Sequence, residues 1–168
     1  MPAALRSGEI DLAVALCPEV VGELAYEPLR SEPVVALLSD ERELARDDAI
    51  ALEALADDEC LIFPRELAPR LYDVLVNLCR SAGFEPRHGN ESFHTRWTLG
   101  TWQGDEVALV PQSVARELPA GVAAVRISDP PDPLDTQLVW RADDRRAALG
   151  TFLDVARAER YEIDLTQH

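Results

Sequence analysis

Lysine is missing altogether: all 16 basic residues are arginine. That excludes a Schiff-base lysine, a P-loop lysine and a lysine general base. Basic charge is also scarce, 16 residues against 31 acids, for a net charge of −15. Such a chain repels duplex DNA and anionic membranes, because phosphate neutralisation needs clustered cations. Direct nucleic-acid binding and membrane binding are therefore not expected. No apolar run approaches the roughly 18 residues of a membrane span, and the opening Met1–Gly8 lacks the apolar core of a signal peptide. The expected location is cytoplasmic. Cysteines number three (Cys17, Cys60 and Cys79) and form no CxxC pair. They read as small buried hydrophobes in a reducing compartment.

Catalytic and metal motifs are also wanting. His88 and His94 fit neither the helical i,i+4 metal pair nor a zinc-finger interval, and Cys79, Asn90 and Glu91 do not complete a ligand set. His168 is terminal. Ser113 and His94 could join some aspartate in a triad only on paper, since no GxSxG elbow is present. Gly100-Thr-Trp-Gln-Gly104 has no phosphate-loop context. Neither enzymatic activity nor a metal or cofactor is expected.

What is present is an ordinary core. Of 168 residues, 47% are apolar, enough for one domain or two small lobes. Leu5-Arg-Ser-Gly8 reads as the last turn of a helix with a glycine stop, and Leu12–Leu16 as a buried strand. Two strand-like pieces, Leu24–Leu29 and Pro33–Leu38, are separated by Glu-Pro punctuation. Nine acids between residues 40 and 59 predict a solvated loop and short helix. Cys60–Phe63 is a strand. The 3/4 spacing of Leu71, Val74, Leu75, Leu78, Cys79 and Ala82 predicts a helix ended by Gly83. Pro86–His88 is a strand candidate, Phe93–Gln103 a helix, Glu106–Pro111 a strand and Ser113–Glu117 a short helix. Val122–Ile127 and Thr136–Trp140 are strands, with a proline-stiffened loop over Asp129–Pro133 between them. A final helix runs through Ala158, capped by Asp143 or Asp144 and burying Leu149, Phe152, Leu153 and Ala156. Alternation of strands and helices gives an α/β class with mainly parallel sheets.

Several segments, in order, resemble the effector-binding (substrate-binding) domain of LysR-type transcriptional regulators. They are Leu5-x-x-Gly-Glu-Ile-Asp-Leu-Ala-Val14, Glu27-Pro-Leu-x-x-Glu-Pro-Val-Val-Ala-Leu-Leu38, Leu52-x-x-Leu-Ala-Asp57, Leu61-Ile-Phe-Pro-Arg65, Ala82-Gly-Phe-Glu-Pro86, Gly104-x-x-Val-Ala-Leu-Val-Pro-x-Ser113 and Leu138-Val-Trp-Arg141. The resemblance implies a two-lobed fold like the type 2 periplasmic binding proteins, with the first lobe incomplete. Lobe one would hold about 1–37 and 138–168, and lobe two about 38–137. The crossing strands would be Val34–Ser39 and Thr136–Arg141, and a small effector would sit between the lobes. The family's winged helix-turn-helix, which carries DNA binding, has no counterpart here, nor has the opening strand-helix-strand of lobe one. Where the family has a glycine pair this chain has Gly104-Asp-Glu106, which puts charge and bulk at a tight turn in the cleft wall.

The residues themselves point to one segment. Pro64–Tyr72 lies between a buried strand and a helix start, where open α/β folds bind ligands. Pro69 suits the first helical turn. The N–H groups of Arg70, Leu71 and Tyr72 are then expected to be open to a carboxylate, with Arg65 and Arg70 adding charge-assisted bonds. Equally, both arginines could simply pair with the acidic surface. The matching tripeptide of dicarboxylate-binding relatives, here Pro69-Arg70-Leu71, implies a ligand contact, and Gln112 and Ser113 join the edge by the same analogy. Trp97 and Trp102 read as packing residues. The function expected is effector sensing by a LysR-like regulator, with a small carboxylate as ligand. The alternative is a DNA-binding-deficient partner that modulates full-length regulators. Self-association, or pairing with a related regulator, is expected.

Overall fold

A computed structural model describes residues 1–19, 22–88, 102, 104–129 and 133–165. In chain order the elements are α1 (Pro2–Ser7), β1 (Leu12–Leu16), β2 (Leu24–Glu32), β3 (Val34–Ser39), β4 (Ala49–Ile50), β5 (Glu59–Cys60), α2 (Pro69–Ser81), β6 (Arg87–His88), β7 (Glu106–Pro111), β8 (Val122–Ile127), β9 (Leu134–Arg141) and α3 (Ala147–Leu165). Short 3₁₀ turns cover Glu43–Arg46, Leu52–Leu55, Arg65–Leu67 and Gln112–Arg116. The helix expected over Phe93–Gln103 lies, apart from Trp102, outside the described residues. So do His94, Trp97 and most of the Asp129–Pro133 loop. The chain divides into two compact units, one of residues 1–31 with 135–168 and the other of residues 32–134.

The first unit is a three-stranded sheet in the order β1-β9-β2. Strand β1 runs antiparallel to β9, Leu12 opposite Trp140 and Val14 opposite Leu138. Alternation sends Ala13 and Val139 to one face, where they pack with Leu5 of α1 and Leu24. Leu12, Trp140 and Leu138 point to the other, against Leu149 and Leu153 of α3. Gly8 ends α1 in the left-handed region, at φ 76°, a conformation that glycine reaches without a Cβ clash. The Arg141 guanidinium donates to the carbonyls of Leu5 (2.8 Å) and Ile10 (3.4 Å), adding a second donor to the Leu5 carbonyl, which also accepts the Gly8 N–H. The Asp144 carboxylate accepts the Arg146 N–H at 3.0 Å, one residue ahead of the helix start at Ala147, so it fixes the approach to α3 and does not cap a donor of its first turn as expected. Phe152 is not buried as expected but 49% exposed. Among the described residues β1 is the last strand on that side of the sheet.

The second unit is built on a six-stranded sheet, β4-β8-β3-β7-β5-β6. Strand β3 is buried along its whole length and is antiparallel to both neighbours, β7 and β8. Strands β4 and β8, β5 and β7, and β5 and β6 pair in parallel. Parallel pairing therefore holds at the flanks, while the central strand runs against its neighbours. The run Val34–Leu38 could not show this, because burial on both faces gives a continuous apolar stretch whichever way a strand runs. Val35, Leu37, Ala108 and Val110 form one side of the core with Leu61 and Val122, and Trp102 packs against it. Helix α2 covers the other side through Leu75, Val76, Leu78 and Cys79. Gly83, at φ 86°, follows its last turn as expected.

The acidic stretch before β5 is less solvated than its composition suggests. Asp58 is 7% exposed and accepts two hydrogen bonds from Arg42, at 2.8 and 3.0 Å. Cys60 and Cys79 are buried, whereas Cys17 is only half-buried and sits at φ 43°.

Candidate functional site

All strands of the second unit except β3 run one way, because β7 and β8 both oppose β3, while β4 is parallel to β8, β5 to β7 and β6 to β5. Their carboxyl ends share one sheet edge, where loops of open α/β sheets carry ligand sites. Three segments meet that edge: the stretch after β5 that leads into α2, the turn after β7, and the start of β3, where Val34 lies opposite Pro111.

The first segment contains six of the expected residues. Pro64 opens a 3₁₀ turn that includes Arg65. Arg65 donates from Nε and Nη2 to the two oxygens of Asp73, at 2.8 and 2.6 Å. This pair raises the arginine above its ordinary pKa and holds Asp73 below the usual carboxylate range. Arg65 is thus occupied within its own loop. Pro69 is the first residue of the 13-residue α2, and Ala68 before it provides no side-chain cap. The Tyr72 N–H, expected to be open, donates to the Ala68 carbonyl at 3.0 Å; it closes the first helical turn. The Tyr72 ring sits edge-on to Phe63, with centroids 6.4 Å apart. Pro69 has no N–H, so two backbone donors are left, those of Arg70 and Leu71. Neither has an acceptor among the described residues. The exposed Arg70 guanidinium has no ionic partner among them either.

The second segment is already filled. The Gln112 N–H donates to the Pro33 carbonyl at 3.0 Å. Ser113 gives its N–H (2.8 Å) and its hydroxyl (3.2 Å) to the carboxylate of Glu32. Glu32 is 4% exposed, so a buried internal carboxylate stands where an external one was expected. Sequence reasoning missed this residue. Its signal was an acid two residues before the fully apolar Val34–Leu38, a position that demands nearby donors. Glu106, expected in the wall of the site, is buried at the amino end of β7. It is therefore at the opposite end of the sheet. Among the described residues no group of three or more His, Cys, Asp or Glu side chains could hold a metal.

The same architecture occurs in solved regulator domains. The chain superposes on the effector-binding domain of BenM, solved with its effector benzoate, with a TM-score of 0.80 and 20% identity, over 99% of this chain and 77% of that one. CbnR, a LysR family transcriptional regulator, gives a TM-score of 0.78 at 21% identity, covering 94% of this chain and 55% of CbnR. The fold is thus that of LysR effector-binding domains, of the type 2 periplasmic-binding-protein kind. The family model for the LysR substrate binding domain matches residues 1–160, and the chain belongs to that family. Its curated relatives include the HTH-type transcriptional regulators IlvR of Caulobacter vibrioides, 31% identical over 87% of this chain and 50% of IlvR, and TdfR of Cupriavidus pinatubonensis, 34% identical over 92% and 52%. The chain spans about half the length of these relatives. No helix among the described residues is long and apolar enough to cross a membrane.

Proposed function

We propose that this chain is the effector-sensing part of a LysR-family regulator, and that its effector is a small carboxylate held at the start of α2. One observation carries the reading. At the sheet edge that binds ligands in this class of fold, the N–H groups of Arg70 and Leu71 stand without an acceptor beside an exposed, unpaired Arg70 guanidinium. A carboxylate supplies what these donors lack, and the dipole of α2 adds to the attraction. Leu71, Tyr72 and the prolines Pro64 and Pro69 give the site its apolar wall. Arg65 positions the loop through Asp73, and Gln112 and Ser113 shape the neighbouring turn. Benzoate, the effector named for the BenM domain, has this chemistry.

Benzoate and a panel of aliphatic and aromatic carboxylates are the probes, read by calorimetric titration and amide NMR. A bound acid at a hundredfold excess over its Kd should stabilise the protein by about 2.7 kcal/mol. The amides of Arg70 and Leu71 should shift, and Arg70→Ala should weaken binding by about 1.5–3 kcal/mol. Saturable binding with both amides unmoved and Arg70→Ala unchanged would place the site elsewhere.

A further inference from the structure

Glu32, Pro33 and Val34 lead into β3, and Pro111, Gln112 and Ser113 lead out of β7. Val34 lies opposite Pro111, the Gln112 N–H donates to the Pro33 carbonyl, and one step further Ser113 reaches Glu32. The antiparallel register thus runs on past the end of the sheet, and its last contact is made by a side-chain carboxylate. The Ser113 N–H lies 2.8 Å from Oε2 and the hydroxyl 3.2 Å from Oε1. Two donors of one residue converging on both carboxylate oxygens are what a carboxylate out of water needs. Here the chain supplies the donors and the acid.

Strands β7 and β5 are paired neighbours. The Ser113 turn and the stretch that leads into α2 therefore leave one sheet edge from adjacent strands, about 4.8 Å apart. Their donors differ in state. The N–H groups of Arg70 and Leu71 have no acceptor among the described residues, whereas those of Ser113 hold a buried carboxylate.

We propose that the turn after β7 is a carboxylate position that the chain fills with its own Glu32, and that the site at α2 therefore takes acids with one carboxylate and turns away acids with two. The first half stands on the Glu32–Ser113 geometry alone; the second rests on the carboxylate reading of α2. A diacid bound to the amides of Arg70 and Leu71 that extends its second carboxylate along the same edge meets a buried like charge, which salt screens little. It also finds the Ser113 donors in use. An apolar body meets neither obstacle.

Glu32→Ala tests the first half. The substitution removes CH₂–COO⁻, the equivalent of one acetate, from beside the two Ser113 donors. Acetate replacing chloride at constant ionic strength should raise the Tm of this variant saturably, by about 3 °C or more, and should leave the wild type unmoved. If the variant is unfolded alone, acetate should restore its folding. Benzoate, too large for the space, should do neither. A variant that acetate stabilises no better than chloride does overturns the carboxylate position.

Calorimetry of matched acids, benzoate against terephthalate and butyrate against succinate, tests the second half. The wild type should favour each monoacid roughly tenfold or more, and Glu32→Gln should narrow that ratio roughly tenfold. Glu53→Gln, the loss of an exposed acid outside this edge, should not narrow it. Diacids that bind the wild type as tightly as monoacids, or a ratio unchanged by Glu32→Gln, overturn the selectivity. If no acid binds, the reading of α2 fails and the selectivity with it, while the acetate experiment still decides the Glu32 position.

Discussion

Glu32 and Ser113 stand 81 positions apart in the chain, yet both oxygens of the buried carboxylate are taken by the N–H and hydroxyl of the one serine. The contact ties the start of β3 to the turn after β7, beside the bond from the Gln112 N–H to Pro33. A charged acceptor with two donors is the kind of hydrogen bond that contributes most.

Ser113→Ala keeps the N–H and loses only the hydroxyl bond, a cost of about 1 kcal/mol. Glu32→Ala strands both Ser113 donors and should cost about 2–3 kcal/mol. Urea denaturation of the two variants measures the order. Equal effects would show that the Ser113 N–H bond contributes nothing.

Arg42 and Asp58 form a well-enclosed ion pair, with side-chain exposures of 18% and 8%. Arg42→Ala leaves a buried carboxylate unmatched and should cost about 3 kcal/mol, against much less for the exposed Arg80–Glu85 pair. Arg42→Ala with Asp58→Leu should recover most of the loss. Thermal melts of the single and double variants test this.

Acid should find the first unit through Asp144. Hydrogen bonds from the Arg146 side chain, then its backbone N–H, hold this carboxyl far below the ordinary carboxylate range. The folded protein therefore stays ionised where the unfolded chain takes up a proton. The stabilisation is complete above about pH 4, the unperturbed aspartate value, and is lost as pH falls toward the folded value. Asp144→Asn should flatten the acid limb of a plot of Tm against pH, and an unchanged limb would remove Asp144 from it.

The three cysteines should label in sequence. Burial pushes the Cys60 thiol up to about 12 and the Cys79 thiol up to about 11, so neither is a thiolate at neutral pH. Iodoacetamide on the native protein at pH 8 should modify half-buried Cys17 first. Mass spectrometry of tryptic peptides reads the order, and rapid labelling of Cys60 would contradict it.

How much of this was legible in the sequence follows from what each signal encodes. Spacing placed α2, because Leu75, Leu78 and Cys79 repeat at the helical period. Val122–Ile127 and Glu106–Pro111 stood out as apolar runs between turn residues, and the strands match them. Direction was not encoded: Val34–Leu38 is apolar whether it runs with or against β7. Phe152 looked buried because periodicity describes a helix face and says nothing of the width of the sheet below. At the candidate site, Pro69 and Arg70 were legible from local rules. The capture of Ser113 by Glu32 was not, since no local pattern links residues so far apart in the chain, and neither was the pairing of Arg65 with Asp73 out of so many acids.

The nesting of one unit inside the other has a consequence for the order in which the protein is made. Residues 32–134 form a continuous block, and every strand of its six-stranded sheet has been synthesised before β9 emerges from the ribosome. Strands β1 and β2 cannot complete their sheet until then, because β9 lies between them, and the end of α1 waits for Arg141. During translation the inner block can fold while the first 31 residues trail as unfinished chain. Residues 135–165 therefore decide when residues 1–31 acquire their structure, and a nonsense mutation ahead of β9 would leave the inner block folded and strands β1 and β2 without their central partner.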